Sequence, residues 1–209
     1  MNPVKGPVAR DSIAVRDTAA MLARAFHDDP PSIWFFPDEK KRRIAMRGDF
    51  TAATRYGLRY GDVYVPDESP DGAAIWLPPG NPVVSALGML RVGFREMASI
   101  PLKVGFGYLP RYFRVMRQMD ELHKRDVPKR HWYLMVLGVE PERQGQGVGS
   151  ALIGPGLARA DGDRLPCYLE TSKEINVVFY KKHGFEVLQE VPLGEDGPLM
   201  WTMLRQPVG

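Results

Sequence analysis

The chain has 209 residues, 44% hydrophobic and 25% charged, with a formal net charge of +3, which suits one globular domain (1–209) with a sizeable core. Its scattered Lys and Arg form no basic stripe interleaved with aromatics, and no unbroken apolar run reaches membrane-span length, so neither nucleic acid nor membrane is an expected partner. The N-terminus lacks an apolar signal core, and the single Cys167 excludes an intrachain disulfide or cysteine metal cluster, so a cytoplasmic protein is expected.

Residues 1–7 read as a flexible lead, with a short strand near 8–10. Asp11 or Ser12 then caps a helix whose apolar positions Val15, Ala19, Leu22 and Phe26 recur at three- and four-residue steps. That helix stops at His27-Asp28-Asp29-Pro30-Pro31, because consecutive prolines cannot continue it. Ser32-Ile33-Trp34-Phe35-Phe36-Pro37 reads as an aromatic loop, either a plug on the core or one wall of a substrate pocket. Asp28 and Asp29 are turn residues, with a second reading in which one faces a cationic amine. Asp38 caps another helix, with Met46, Phe50, Ala53 and Gly57 on one face and Lys40-Lys41-Arg42-Arg43 as its solvated side. Strands at 62–65 and 73–77 follow, joined by a turn-rich hairpin connection.

Residues 81–127 form a helical segment. Val84, Leu87, Phe94 and Met97 fit one face, and Tyr112, Val115, Met116, Met119 and Leu122 fit another, with a break expected from Ile100-Pro101 to Leu109-Pro110. Methionine-rich faces usually pack into a core; the second reading has them cover the substrate side. The half from 131 to 205 begins with an apolar run at 132–139 that reads as a buried strand. A helix then runs to about Ala160, kinked or interrupted at Pro155. The strand at 166–172 should pair in parallel with the first, by a right-handed crossover. A short helix at 176–182 ends at Gly184, and 185–188 and 199–204 close the chain as antiparallel strands.

Between the buried strand and the long helix lies Arg143-Gln144-Gly145-Gln146-Gly147-Val148-Gly149. Glycines permit a tight bend and let a ligand approach the main chain. The first amides of the helix lack intrahelical partners and carry partial positive charge, so the bend suits a pyrophosphate. The P-loop pattern fails, because no Lys or Ser/Thr stands at the required offset. The dinucleotide fingerprint fits Gly145 and Gly147 but places Ser150 at its third glycine, and too little chain follows for a doubly wound half. The pattern Q/R-x-x-G-x-G/A is met by Gln144, Gly147 and Gly149. A structural glycine turn without a ligand is the remaining reading.

With its strand, its Pro141 and its Gly149-Ser150-Ala151-Leu152 helix start, this stretch resembles the pyrophosphate loop of the GNAT superfamily of N-acetyltransferases. Glu170 on the next strand and Asn176-x-x-x-Tyr180-x-x-x-Gly184-Phe185 occur in the same order and spacing as in that superfamily. Leu169-Glu170-Thr171-Ser172, Phe179-Tyr180 and His183-Gly184-Phe185 look more particularly like the relatives of puromycin N-acetyltransferase. The resemblance implies an α/β GNAT fold, with a mixed, mostly antiparallel sheet and a splayed parallel central strand pair. It implies transfer of acetyl from acetyl-CoA to the primary amine of a small molecule, by direct attack in a ternary complex.

On that resemblance Gln144, Gly145, Gln146, Gly147, Val148, Gly149 and Ser150 hold the cofactor's diphosphate. Backbone groups of Leu137, Gly138 and Val139 line its pantetheine arm, because a splayed strand leaves donors unpaired. Asn176 and Tyr180 share a helical face, with Phe179 beside them. Tyr180 is implied to protonate the departing sulfur, or otherwise packs. Glu170 is the candidate base on the amine, or otherwise a structural ion pair. Asp28, Asp29, Trp34 and Glu170 are the substrate-side candidates. No metal site is expected, since His27, His123, His131 and His183 lack ligand spacing, and Cys167 inside a strand is no nucleophile. Two rivals stay open: a non-catalytic acyl-CoA sensor and a dinucleotide-dependent enzyme. Monomer and homodimer are both allowed.

Overall fold

Among the described residues, short runs bounded by turn residues form seven strands: β1 (Val4–Lys5), β2 (Asp62–Pro66), β3 (Gly72–Leu77), β4 (Trp132–Val139), β5 (Cys167–Thr171), β6 (Glu186–Pro192) and β7 (Leu199–Arg205). Seven helices accompany them: α1 (Val15–Ala25), α2 (Pro30–Phe35), α3 (Glu39–Tyr60), α4 (Ala86–Val104), α5 (Leu109–Asp126), α6 (Val148–Asp163) and α7 (Glu174–Lys181). This computed structural model describes residues 4–6, 15–67, 71–80 and 86–209. The sheet order is β1-β2-β3-β4-β5-β7-β6. Every neighbouring pair is antiparallel except β4–β5, which is the parallel pair expected from the sequence.

That parallel pair is short. β4 and β5 are in register only at Trp132↔Cys167 and Tyr133↔Tyr168, although β4 continues to Val139. On its other edge β4 stays paired with β3, with Ile75 opposite Val136 and Trp76 opposite Leu134. Met135 is therefore an extra residue, a bulge that bends β4 at the point where it leaves β5.

The two faces of the sheet carry different helices. On one, Trp76, Trp132, Leu134 and Leu169 pack with Leu152, Ile153 and Leu157 of α6 and Val177 and Tyr180 of α7. On the other, α1 lies over β2 and β3 through Met21, Leu22, Val63 and Ile75. Tyr56 of α3 meets Leu77, Tyr133 and Tyr168 on that same side. Val115 and Leu122 of α5 pack on Leu193 and Met200. No helix among the described residues is long and apolar enough to cross a membrane.

Several sequence expectations need correction. Val4 and Lys5 pair with Pro66 and Val65, so the lead contributes an edge strand; the strand near 8–10 and the cap at Asp11 or Ser12 lie outside the described residues. The aromatic segment after α1 is the helix α2, not a loop. Pro30 and Pro31 occupy its first two positions, where a helix needs no backbone donor. Arg42 is not solvated: its guanidinium is buried and donates to the carbonyls of Phe36 (2.8 Å) and Pro37 (3.2 Å), tying α2 to α3.

The break between the two helices of 86–126 falls at 105–108, inside the stretch expected from the sequence, although α4 runs through Pro101 and also bends at Gly93. There a side chain would collide with the backbone of Ala52 on α3. Phe94, assigned to the buried face, is 65% exposed. Likewise α6 continues through Pro155 without a break in its helical backbone. Proline there costs ~3 kcal/mol, but α6 buries Leu152, Ile153 and Leu157, each worth about 1.5–3 kcal/mol. The neighbouring Gly156 lets the helix lie on the Trp76 ring, which an added Cβ would meet at 2.2 Å.

Candidate active site

The glycine bend begins where β4 ends. Glu140 takes Arg24 of α1 in a two-point ion pair (2.7 Å each), and its own amide donates to Asp71 (2.8 Å). The Gln144 amide group donates to the Val139 carbonyl (3.1 Å), and that of Gln146 to the Glu142 carbonyl (2.9 Å). Both glutamine side chains thus brace the bend, leaving its backbone amides to a ligand. Gly145 and Gly147 have φ of +73° and +82°, which side-chain-bearing residues rarely adopt, and a Cβ on either would meet nothing within 4 Å. Gly147 is the N-cap of α6. Val148 turns its side chain into the core, Ser150 is exposed, and Gly149 lies against Phe179. An open, glycine-lined cradle at a helix N-terminus fits a diphosphate.

Past the last β4–β5 rung, the gap is lined from below by α7. Asn176 donates to the Thr171 hydroxyl (3.1 Å), fixing α7 to the end of β5. Tyr180 packs in the core beneath, and its hydroxyl makes no hydrogen bond among the described residues. Burial, with the Asp29 carboxylate nearby, holds that phenol well above its ordinary pKa. Asp29 pairs with Lys173 at the start of α7, so the α1–α2 turn spans the gap. Asp28 is 82% exposed and, among the described residues, pairs only with His27, at 3.9 Å. Gly138 has no room for a side chain, because Leu22 of α1 and Phe26 just after it press on it. Leu137, Gly138 and Val139 lie opposite Ala74, Ala73 and Gly72 on β3, with no β5 partner on their other edge.

Glu170 lies on the opposite face of β5 from Tyr180. Its side chain is 7% exposed and accepts from the Tyr133 hydroxyl (2.8 Å). Burial raises its carboxyl to about 7, partly countered by the hydrogen bond from Tyr133. Tyr180 and Glu170 thus stand on opposite faces of the sheet, Tyr180 on the α7 side and Glu170 on the α5 side. Trp34 stands apart from both: it packs with the α5 and β6–β7 cluster and lies under Arg111, 4.6 Å from its ring.

Sequence reasoning missed three groups. His123 and His131, read from the sequence only as lacking ligand spacing, are in contact through their Nε2 atoms (2.6 Å), and His123 Nδ1 stands 3.8 Å from Glu170. Lys173 had no evident partner in the sequence. Asp49 on α3 influences the Tyr108 and Tyr112 hydroxyls and has no hydrogen bond or ion pair among the described residues; burial raises its carboxyl to about 7. No local pattern marks any of them, since their neighbours come from distant segments. Cys167 is buried in β5 and its thiol is pushed up to about 12, so it offers no thiolate. Among the described residues no cluster of His, Cys, Asp and Glu could hold a metal ion.

Comparison with known proteins bears on this geometry. A family model described as "Acetyltransferase (GNAT) domain" matches residues 112–187, the span holding the bend, Glu170 and Tyr180. An uncharacterized N-acetyltransferase of Schizosaccharomyces pombe is 29% identical over 201 residues, 92% of this chain and 79% of that protein. A solved structure described as histone acetyltransferase HPA2 and related acetyltransferase, from Corynebacterium glutamicum, matches with a TM-score of 0.64 at 23% identity, covering 100% of this chain and 98% of that one. Arylalkylamine N-acetyltransferase 2 of Aedes aegypti matches at 0.56 and 12% identity, covering 98% and 99%. The two solved structures share the fold.

Proposed function

We propose, from the match of residues 112–187 to a GNAT acetyltransferase domain and the likeness to an N-acetyltransferase, that the chain is an acyltransferase of that family which moves an acetyl group from acetyl-CoA to the primary amine of a small molecule, by direct attack in a ternary complex. The carrying observation is the parting of β4 from β5 after two residue pairs, with the glycine cradle at one end and an unbonded tyrosine hydroxyl below. Acetyl-CoA supplies the activated thioester. Amides of Gly145 through Ser150 hold its diphosphate, and free main-chain groups of Leu137, Gly138 and Val139 hold the arm. Donors aimed at the carbonyl oxygen, where negative charge develops, are worth ~3 kcal/mol each. Tyr180 keeps its proton until charge builds on the sulfur, then donates it. Glu170 takes the proton that the ammonium must lose. With Cys167 buried and its thiol raised, no acetyl-cysteine step is needed.

The acceptor side favours a small molecule over a polypeptide. Gln118 of α5 donates to Pro192 (2.8 Å) and accepts from Gly194 (2.8 Å), and Arg111 donates to the Trp34 carbonyl (2.6 Å). These bonds tie α2, α5 and the β6–β7 turn together, and we take that closure as the support for a small acceptor. Asp49, which influences the Tyr108 and Tyr112 hydroxyls, is a carboxyl among aromatics that would suit a cation once ionised. A panel of small amines incubated with acetyl-CoA, with free thiol as the readout, tests the reading. We expect thiol release with at least one cationic amine. Tight acetyl-CoA binding without thiol release from any amine would indicate a sensor, and no binding would refute the site.

A further inference from the structure

Each turnover at an ammonium ion releases one proton, and a buried base that keeps it works once. Glu170 has no direct route to solvent through the gap, which acetyl-CoA and the amine fill in the proposed reaction. On the other side of the last β4–β5 rung the structure offers another route. His123 Nδ1 faces Glu170 Oε1 at 3.8 Å, His123 Nε2 meets His131 Nε2 at 2.6 Å, and His131 Nδ1 meets the Pro128 carbonyl at 2.6 Å. His123 and His131 both line a cavity of about 400 Å³ with Leu77, Pro78, Lys124 and Lys129.

The hydrogen-bond chemistry fixes the tautomers. A carbonyl only accepts, so His131 carries its proton on Nδ1 and leaves Nε2 bare. His123 must then donate from Nε2, which leaves its own Nδ1 bare and facing Glu170. Two acceptors repel, which accounts for the 3.8 Å gap when Glu170 is ionised; once Glu170 is protonated it becomes the matching donor. From this chain of orientations we propose that His123 and His131 form a relay that carries the amine proton from Glu170 to solvent in the cavity. This rests on the acetyltransferase reading with Glu170 as base.

The step balances. The ammonium N–H proton passes to Glu170 Oε1, then to His123 Nδ1 as the His123 Nε2 proton moves to His131 Nε2. His131 gives one proton to water, and the tautomers reset by exchange there. The groups facing the relay are Asp120 and Lys124 on α5, Tyr133 on β4, Tyr168 on β5 and Lys129 beside the cavity. Burial lowers His123 to about 4 against about 7 for Glu170, so a proton on His123 is disfavoured by roughly 10³-fold. A barrier of that size alone still permits passage on the order of 10⁹ per second, far above ordinary turnover of about 1–10³ per second.

Two measurements test this. Imidazole ¹⁵N NMR of the free protein near neutral pH should show His131 protonated on Nδ1 and His123 on Nε2, both neutral. A His123 proton on Nδ1 overturns the relay. Steady-state acetylation of 2-phenylethylamine is the second, or of the best amine in the panel. His131→Phe should lower kcat about tenfold in weak buffer, with an unchanged KM for acetyl-CoA, and added imidazole should restore it. A loss that imidazole does not restore, or no loss at all, overturns the relay while the wild type remains active. A wild type that acetylates no amine refutes the acetyltransferase reading instead.

Discussion

Glu170→Gln separates a catalytic carboxyl from a structural one. Burial moves this group from 4.5 to about 7, a penalty on its ionised form of about 3 kcal/mol. The sign follows from the direction: a carboxyl with a raised folded-state pKa contributes stability fully present below pH 4.5 and lost as pH rises through about 7. Glutamine does not titrate, so the variant should gain on the wild type by up to ~3 kcal/mol across that window. Asp49 titrates in the same range but is present in both proteins, so it cancels. Urea unfolding of both proteins at several pH values measures the difference. The catalytic reading adds a second outcome: wild-type kcat/KM should rise with pH and level off near 7, and the variant's deficit should shrink above that as free amine accumulates. Unfolding free energies that run parallel at every pH would refute the burial argument, and an equal rate deficit at every pH would make Glu170 structural.

Other changes probe the cofactor side. Tyr180→Phe should lower kcat by about 10²-fold or more while acetyl-CoA affinity stays within about twofold, checked by steady-state kinetics and calorimetry; an unchanged rate removes the acid role. Gly147→Val forces a β-branched residue to φ +82°, at a strain of about 1–3 kcal/mol, and should weaken acetyl-CoA binding at least tenfold in titration calorimetry. Gly156→Ala places a methyl at 2.2 Å from the Trp76 ring and should destabilise by about 1–3 kcal/mol in urea. A wild-type midpoint there would show that α6 is not seated as described.

The second half of the fold was legible because its signals are local. The run at 132–139, the glycines after it and the Asn176–Tyr180 spacing each lie within a few residues, and β4, the bend and α7 form there. Prolines misled the reading because their meaning depends on position. Pro30 and Pro31 start a helix, Pro101 sits in the last turn of another, and Pro155 is carried by the packing of α6 on Trp76. Arg42 looked solvated as one of four consecutive cations, yet the carbonyls at the end of α2 fold back to meet it. The Glu170 surroundings could not be read at all: His123 lies on α5 and Glu170 on β5, and only the sheet and helix packing brings them together.

A crystal structure with coenzyme A bound tests the central claim most directly. The account predicts the diphosphate on the amides of 145–150, the pantetheine arm between β4 and β5, and the sulfur within hydrogen-bonding reach of the Tyr180 hydroxyl. A cofactor bound elsewhere, or a sulfur remote from that hydroxyl, would contradict it.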